Sequence, residues 1–113
     1  MLLTPVSARQ PRLGDLPALL KALADPTRLR IVGLLTQREL CVCDLEGLLG
    51  VSQSMTSHHL SVLRRAGLLL QRREERDSRW VYYRLNPEAV ANLTAQFAGF
   101  FDLSGFDRTA ARC

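Results

Sequence analysis

The feature that most constrains the fold of this chain is a short turn between two amphipathic helical segments. Gly50 stops the first segment, and Ser52 is a favoured N-cap for the second. Apolar residues recur at helical spacing on both sides of the turn, which predicts one buried stripe per segment. The stripes are Val42, Leu45, Leu48 and Leu49 before the turn, and Met55 or Thr56, Leu60 and Leu63 after it. A short helix, a tight turn and a longer helix that ends at Gly67 form a helix–turn–helix.

A β-hairpin is predicted directly after this motif. Residues 68–73 and 79–85 are rich in aliphatic, aromatic and β-branched side chains, which favour strands. The polar residues 74–78 between them form the hairpin tip, and a hairpin in this position is a wing. We therefore predict a mainly α protein with a small β-hairpin (α+β), in the form of a winged helix–turn–helix.

Three further helices are predicted where a capping side chain precedes a proline of the first turn. The start signals are Asp15-Leu16-Pro17, Asp25-Pro26 and Asn86-Pro87. Within the second of these helices, Gly33 suggests close packing by a neighbouring element. We assign residues 1–14 to a flexible N-terminal arm, residues 15–102 to one folded domain and residues 103–113 to a C-terminal tail.

The last helix has more apolar side chains than a domain of this size easily buries. Its stripe consists of Val90, Leu93, Phe97, Phe100 and Phe101. Together with the leucine-rich first helix, this stripe is a candidate homodimer interface. The residues predicted there are Leu16, Leu19, Leu20, Leu93, Phe97 and Phe100. The alternative is that the stripe only covers the core of its own protomer.

The outward face of the second helix of the motif suits the major groove of DNA. It carries small or hydrogen-bonding side chains, namely Gln53, Ser54, Ser57, His58 and Ser61. Gln53 is the best base reader, because its amide can pair with adenine in two places. In the wing, Arg72, Arg76 and Arg79 are candidate contacts to phosphates or to the minor groove.

The charge distribution supports a nucleic-acid partner. The net charge is +4, and residues 52–84 contain seven arginines against three acids. A basic half of this kind favours double-stranded DNA as a partner. The alternative is that some of these arginines are only solvated surface.

Two thiols lie one residue apart at the start of the helix–turn–helix. Cys41 occupies the N-cap position, and Asp44 stands where a capping box has its acid. A helix N-terminus lowers the pKa of a cysteine, and thiolates prefer soft metal or metalloid centres. Cys41 and Cys43 are therefore predicted to bind a soft ion or metalloid. The alternative is purely structural: Cys41 is a poor cap, and Cys43 a small buried hydrophobe.

The spacing of the thiols predicts a trigger. Residues two apart on a helix point about 200° apart, so both sulfurs cannot hold one centre while the first turn stays regular. Because the very short turn at Gly50 joins this helix to the DNA-facing helix, opening of the first turn would displace the DNA-facing side chains. A coupling of about 1–3 kcal/mol is enough to release DNA.

Over residues 19–95 the chain resembles the ArsR/SmtB family of metal- and metalloid-responsive winged-helix repressors. The resemblance is carried by residues 21–31 (KALADPTRLRI), 39–45 (ELCVCDL), 52–60 (SQS and HHL at its ends), 63–68 (LRRAGL) and 80–85 (WVYYRL). It implies a homodimer that binds a palindromic operator when ligand-free and leaves when its ligand binds. The ELCVCDL run is similar to that of the arsenic-responsive ArsR branch, which implies As(III) or Sb(III) as inducer.

The sequence departs from the family pattern in two places. Arsenic-responsive relatives usually have a third cysteine three residues after the second, where this chain has Glu46. The third ligand is therefore expected to be hydroxide or a small thiol, with Cys113 as a further candidate. Residues 88–107 contain no histidine, so the zinc site that other relatives have on the last helix is not expected. His58 is expected to face DNA and His59 to pack near the wing.

Other classes of protein are disfavoured. No apolar run approaches the ~20 residues of a membrane helix, and residues 1–5 lack the pattern of a signal peptide. We therefore expect a cytoplasmic protein without membrane contact. An enzyme is not expected, because no nucleophile, oriented base and oxyanion site are assembled, and no organic cofactor is expected.

Two alternatives to metalloid release stay open. One is a repressor of the same fold that senses thiol oxidation or a soft divalent metal such as Cd or Pb. The other is a protein-binding or small catalytic module that keeps the helix–turn–helix as a scaffold.

Overall fold

The fold was analysed in a computed structural model, which describes residues 16–109. Within that range there are five helices and a three-stranded antiparallel sheet, which confirms the predicted winged helix–turn–helix. In chain order the elements are α1 (Leu16–Leu23), α2 (Pro26–Leu35), β1 (Leu40–Cys41), α3 (Val42–Leu49), α4 (Gln53–Arg65), β2 (Leu69–Arg73), β3 (Val81–Leu85) and α5 (Pro87–Phe100). The predicted arm, the predicted cap Asp15 and Cys113 lie outside the described residues. No helix between residues 16 and 109 is long and apolar enough to cross a membrane.

Side-chain caps fix the starts of the helices where the sequence predicts them. Before α2, the Asp25 carboxylate accepts hydrogen bonds from the backbone N–H groups of Thr27 (2.8 Å) and Arg28 (3.1 Å). Before α4, the Ser52 hydroxyl accepts one from the N–H of Met55 at 3.1 Å. These bonds satisfy N–H groups that have no partner inside the helix.

Two glycines end the helices of the central motif, as predicted. Gly50 follows α3 with φ of 71° and Gly67 follows α4 with φ of 85°, in the left-handed region that other residues rarely adopt. Near the second glycine, the N–H of Asn86 donates to the carbonyl of Leu68 at 2.8 Å, and its side chain donates to the carbonyl of Gly67 at 3.0 Å. The start of α5 is therefore tied to the end of α4.

The core lies between α1, α2, α3, α4 and the sheet. Its largest fully buried side chains are Ile31, Leu45, Leu60, Leu63 and Thr56. Full burial of a Leu or Ile side chain stabilises the fold by about 1.5–3 kcal/mol. The buried Thr56 hydroxyl donates to the carbonyl of Ser52 at 2.8 Å, so its polar atom has a partner. Of the two candidates for this inward position, Thr56 is buried and Met55 is exposed.

The sheet contains a strand that the sequence analysis did not predict. The two-residue strand β1 pairs with β3, which is central in the order β1-β3-β2, with Leu40 opposite Tyr83 and Cys41 opposite Tyr82. Cys41 therefore belongs to the sheet as well as to the start of α3. The wing formed by β2 and β3 is confirmed, but its strands are shorter than predicted, because residues 79 and 80 belong to the tip, where the N–H of Trp80 donates to the carbonyl of Asp77 at 3.0 Å.

Three packing expectations are wrong. Gly33 has open space where a Cβ would stand, so no close neighbour explains it. Leu48 is exposed, and of the predicted stripe of α3 only Leu45 and Leu49 are fully buried. His59 does not pack near the wing, because its side of α4 faces α2, where its ring meets the guanidinium of Arg28.

Candidate functional site

Helix α4 presents the polar face that the sequence predicts. Gln53, Ser54, Ser57 and His58 are exposed, and Ser61 is half-buried. The opposite face holds Thr56, Leu60 and Leu63 in the core, which fixes the rotation of the helix. The exposed Met55 lies among the polar residues and offers only apolar contact. The five predicted DNA-facing residues of α4 are therefore brought together on one side of one helix.

Helix α4 is anchored by a buried histidine. The Nη1 atom of Arg28 lies 3.1 Å from Nδ1 of His59, and Nε of Arg28 donates to the carbonyl of Ala22 at 2.5 Å. A guanidinium can only donate, so Nδ1 of His59 accepts and its ring proton is assigned to Nε2. His59 therefore ties α4 to α1 and α2, while the adjacent His58 points to solvent.

The three predicted wing arginines differ in their surroundings. Arg72 is held in a fork by Glu39, with Nη2 to Oε1 at 2.8 Å, and the hydrogen bonds to that carboxylate raise the pKa of Arg72. Arg79 is held by Asp77 at 2.9 and 2.7 Å, which lowers the pKa of Asp77. Arg76 is exposed at the tip and has no ion pair with any residue from 16 to 109. Of the three predicted contacts, Arg76 is the one that is not paired with a carboxylate within residues 16–109.

Cys41 caps α3 as predicted. Its Sγ accepts from the N–H of Asp44 at 3.4 Å, and the Asp44 carboxylate accepts from the N–H of Cys41 at 3.3 Å, which completes a capping box. The expectation of a lowered pKa is wrong for this thiol. Burial raises the pKa of Cys41, and this desolvation outweighs the hydrogen bond from the N–H of Asp44. The Asp44 carboxylate adds to the rise.

Cys43 lies in a different environment. It is exposed and lines a shallow depression together with Arg38, Asp44, Gly47 and Leu48. One thiol thus points into the core and the other to solvent. No group of three or more His, Cys, Asp or Glu side chains is arranged to hold a metal ion within residues 16–109.

The predicted interface residues divide into a buried and an exposed set. Leu16 and Leu19 of α1 are buried within the protomer itself, so their side chains already have packing partners, whereas Leu20 is exposed. On α5, Leu93 and Phe97 are half-buried and Phe100 is 66% exposed. Phe101 stacks on Phe97 and meets Phe100 edge to face, so these three rings form one apolar cluster.

Sequence reasoning missed Glu39 and the pairing of β1 with β3. A two-residue strand has no periodicity to detect, and Glu39 meets Arg72 across a separation of 33 residues. The only hint was the presence of a lone acid between Arg38 and the first thiol, opposite a wing rich in arginine.

A helix–turn–helix with an exposed polar second helix and a basic wing defines the class of winged-helix regulatory proteins. Residues 25–69 match the model of the bacterial regulatory protein, arsR family. The chain is 45% identical over 87 residues to the arsenic resistance transcriptional regulator ArsR1 of Pseudomonas putida (76% of this chain, 66% of that protein). It is 53% identical over 74 residues to the arsenical resistance operon repressor of Escherichia coli (65% of this chain, 61% of that protein).

A solved structure described as a "possible transcriptional regulator for arsenical resistance" is 42% identical and superposes with a TM-score of 0.65. The comparison covers 74% of this chain and 84% of that one. The chain therefore belongs to the ArsR family, whose members are transcriptional regulators and not enzymes. It spans just under two thirds of the length of the two curated relatives.

Proposed function

We propose that this chain is a transcriptional repressor that binds a palindromic operator as a ligand-free homodimer and dissociates when As(III) or Sb(III) binds Cys41 and Cys43. The observation that carries the proposal is the position of the two thiols at the start of α3. Residues 50–52 connect α3 directly to α4, whose exposed face would contact DNA. The arsenic-resistance regulators among the relatives support the same ligand class.

The DNA contact follows from the exposed face of α4. In a symmetric dimer, the two α4 helices would enter successive major grooves about 10 bp apart. Gln53 would read a base, while Ser54, Ser57, His58 and Ser61 would contact base edges or phosphates. Arg76 would contact phosphate or the minor groove at the wing tip. Arg72 and Arg79 would contact phosphate through the guanidinium N–H groups that their carboxylate partners leave free.

The thiol pair fits a soft, thiophilic centre. Each As–S bond would replace an As–OH bond of arsenous acid, and the thiol proton would leave with the hydroxide as water. Two sulfurs supply two ligands, and hydroxide, a small thiol or Cys113 would supply the third. Cys41 is buried and held in the capping box, whereas Cys43 is exposed. Binding of one arsenic centre by both thiols therefore requires the hydrogen bond from the Asp44 N–H to Cys41 to break. Cys43 would bind first and Cys41 second.

The proposal is tested by operator binding in fluorescence anisotropy with and without arsenite. We expect arsenite to weaken operator binding of the parent by about 5- to 150-fold, the usual range of allosteric coupling. Cys41→Ser and Cys43→Ser should abolish this weakening. Serine is a good N-cap, so Cys41→Ser should keep its fold and its operator affinity without arsenite. Arsenite release that survives in both variants would refute the site.

The same assay separates the alternatives. Loss of release in Cys113→Ser would make the tail a third ligand. Release by Cd or Pb but not by arsenite would favour a soft divalent metal, for which the exposed Cys43 would be the entry point. Release by peroxide that dithiothreitol reverses, without any effect of arsenite, would favour a thiol redox sensor.

A further inference from the structure

Cys41 is connected to the wing by backbone pairing. Strand β1 lies against β3, and Cys41 is opposite Tyr82 in their antiparallel register. On its other side, β3 pairs with β2, where Arg72 is opposite the same Tyr82. One residue of the central strand therefore stands between the first thiol and a wing arginine.

The side chain of Glu39 adds a second link between the β1 segment and the wing. It comes directly before β1, and its carboxylate accepts three hydrogen bonds from Arg72, at 3.0 and 3.1 Å from Nε and 2.8 Å from Nη2. The guanidinium of Arg72 lies 4.7 Å from the ring centre of Tyr82, and Nε of Arg84 is 4.0 Å from the Glu39 carboxylate. These contacts run from Cys41 to Tyr82, from Tyr82 to Arg72 and from Arg72 to Glu39, and the chain itself joins Glu39 to Cys41 through Leu40. We call this arrangement the β1 clamp.

The β1 clamp is better suited to orient the wing than to stabilise the fold. The side chains of Arg72 and Glu39 are 51% and 26% exposed, and exposed ion pairs contribute little to stability. The geometry is nevertheless specific, because a guanidinium fork and a carboxylate define one relative orientation. Loss of the pair should therefore leave a folded protein whose wing is no longer fixed to the segment of the thiols.

We propose that Glu39 is a positioning residue that transmits the state of Cys41 to the wing. The inference rests on the proposed function at one point, namely that arsenite binds Cys41 and Cys43. Movement of Cys41 out of the capping box pulls on β1, and Glu39 moves with it because only Leu40 separates the two residues. Arg72 then loses its orienting partner, and the hairpin that carries Arg76 shifts against α4. The wing is a second route to DNA release beside the turn at Gly50.

The single tryptophan gives a direct readout of the wing. Trp80 lies at the wing tip, is 42% exposed, and is the only tryptophan of the chain. We expect arsenite to change the Trp80 emission of the parent without DNA, and this change to be lost in Glu39→Gln. Glu39→Gln should still bind arsenite, as measured by the ultraviolet absorption of the As–S bonds. The ratio of operator Kd values with and without arsenite should fall about three- to tenfold, as expected for a residue in a coupling network.

Asp77→Asn is the matched control in the operator assay. It removes the same charge from another carboxylate–arginine fork of the wing, Asp77 with Arg79, which does not reach β1. Arg72→Lys keeps the charge but loses the fork, and it should behave like Glu39→Gln. We expect the operator Kd ratio of Asp77→Asn to equal that of the parent.

The outcomes separate the two proposals. If the parent binds arsenite and releases the operator while Glu39→Gln keeps both the Trp80 response and the full Kd ratio, the role of Glu39 is refuted and the thiol site stands. If Asp77→Asn loses coupling as much as Glu39→Gln does, general wing charge explains the effect and the clamp is refuted. If the parent neither binds arsenite nor releases the operator, the proposed function fails, and the role of Glu39 fails with it.

Discussion

At the scale of single residues, capping side chains determine where the helices begin and how the thiols are presented. Asp25, Cys41 and Ser52 each accept a backbone N–H bond at the start of a helix. Cys41 differs from the other two because its sulfur is also the proposed ligand. Its weak 3.4 Å bond from the N–H of Asp44 can be given up for a bond to a soft centre at low cost.

Asp25 is predicted to stabilise the protein in a pH-dependent manner. Asp25→Ala removes the cap of α2 and should lower the Tm at pH 7 by about 5 °C. The N–H of Arg28 foremost, together with that of Thr27, holds the pKa of Asp25 below its usual value. The contribution is therefore complete above about pH 4, the usual aspartate pKa, and is lost as the pH falls through the lower folded pKa. Differential scanning calorimetry from pH 7 to pH 3 measures the effect.

The control for this prediction is Asp25→Asn. Asparagine is an equally good cap without a titrating group, so this variant should keep most of the Tm at pH 7. The Tm difference between Asp25→Asn and Asp25→Ala should not change with pH. A gap between the parent and Asp25→Ala that stays constant down to pH 3 would contradict the role of the charged cap.

At the scale of elements, α4 and the wing have different proposed tasks in DNA binding. Helix α4 offers groups that distinguish bases, since its exposed face has amide, hydroxyl and imidazole side chains. The wing offers charge, and the carboxylates of Glu39 and Asp77 already hold two of its arginines. The sequence preference of operator binding should therefore depend on α4. The salt dependence of operator binding should depend on a few wing residues.

Two substitutions should separate these tasks. Gln53→Ala should weaken binding of the preferred operator by about 1–3 kcal/mol and relax the sequence preference at one position of each half-site. Arg76→Gln should weaken all sequences alike and lower the slope of log K against log salt by about 1 for each protomer. Anisotropy titrations on the operator and on a scrambled duplex at four salt concentrations measure both. Equal loss on both duplexes for Gln53→Ala would contradict base reading.

At the scale of the whole molecule, the end of α5 is an exposed apolar surface within residues 16–109. Phe100 and Phe101 are more than half exposed, although they continue the stripe of Leu93 and Phe97. Exposed aromatic clusters are typical of protein–protein interfaces. The homodimer through α1 and α5 stays a prediction, in which Leu20 and the α5 cluster supply the contact surface and Leu16 and Leu19 support α1 from the protomer's core.

Phe100→Glu should disrupt this dimer. A carboxylate placed in an apolar contact should raise the dimer Kd by at least about thirtyfold, or ~2 kcal/mol. Sedimentation velocity should then show a monomer at concentrations where the parent is dimeric, and operator affinity should fall with it. Leu29→Glu is the matched control, because Leu29 is also exposed (54%) but lies on α2, which is not part of the predicted interface. A parent that sediments as a monomer at every concentration would exclude the dimer.

Local chemistry made much of the fold predictable from the sequence. The caps at Asp25, Cys41 and Ser52 and the stop at Gly50 act within a few residues, so each can be identified from neighbouring side chains alone. The polar face of α4 follows in the same way from helical periodicity. The positions of the two thiols in the α3 turn were predictable for the same reason.

Contacts between residues far apart in the chain could not be predicted from the sequence. The pairing of Cys41 with Tyr82, the fork of Glu39 with Arg72 and the contact of Arg28 with His59 each join segments more than thirty residues apart. The raised pKa of Cys41 is of the same kind, because packing around the thiol, and not its place at a helix start, determines its solvation. Local sequence specifies which groups stand at the helix ends and faces, since capping and periodicity act within one or two turns. The packed fold determined which of those groups meet and how much water they keep.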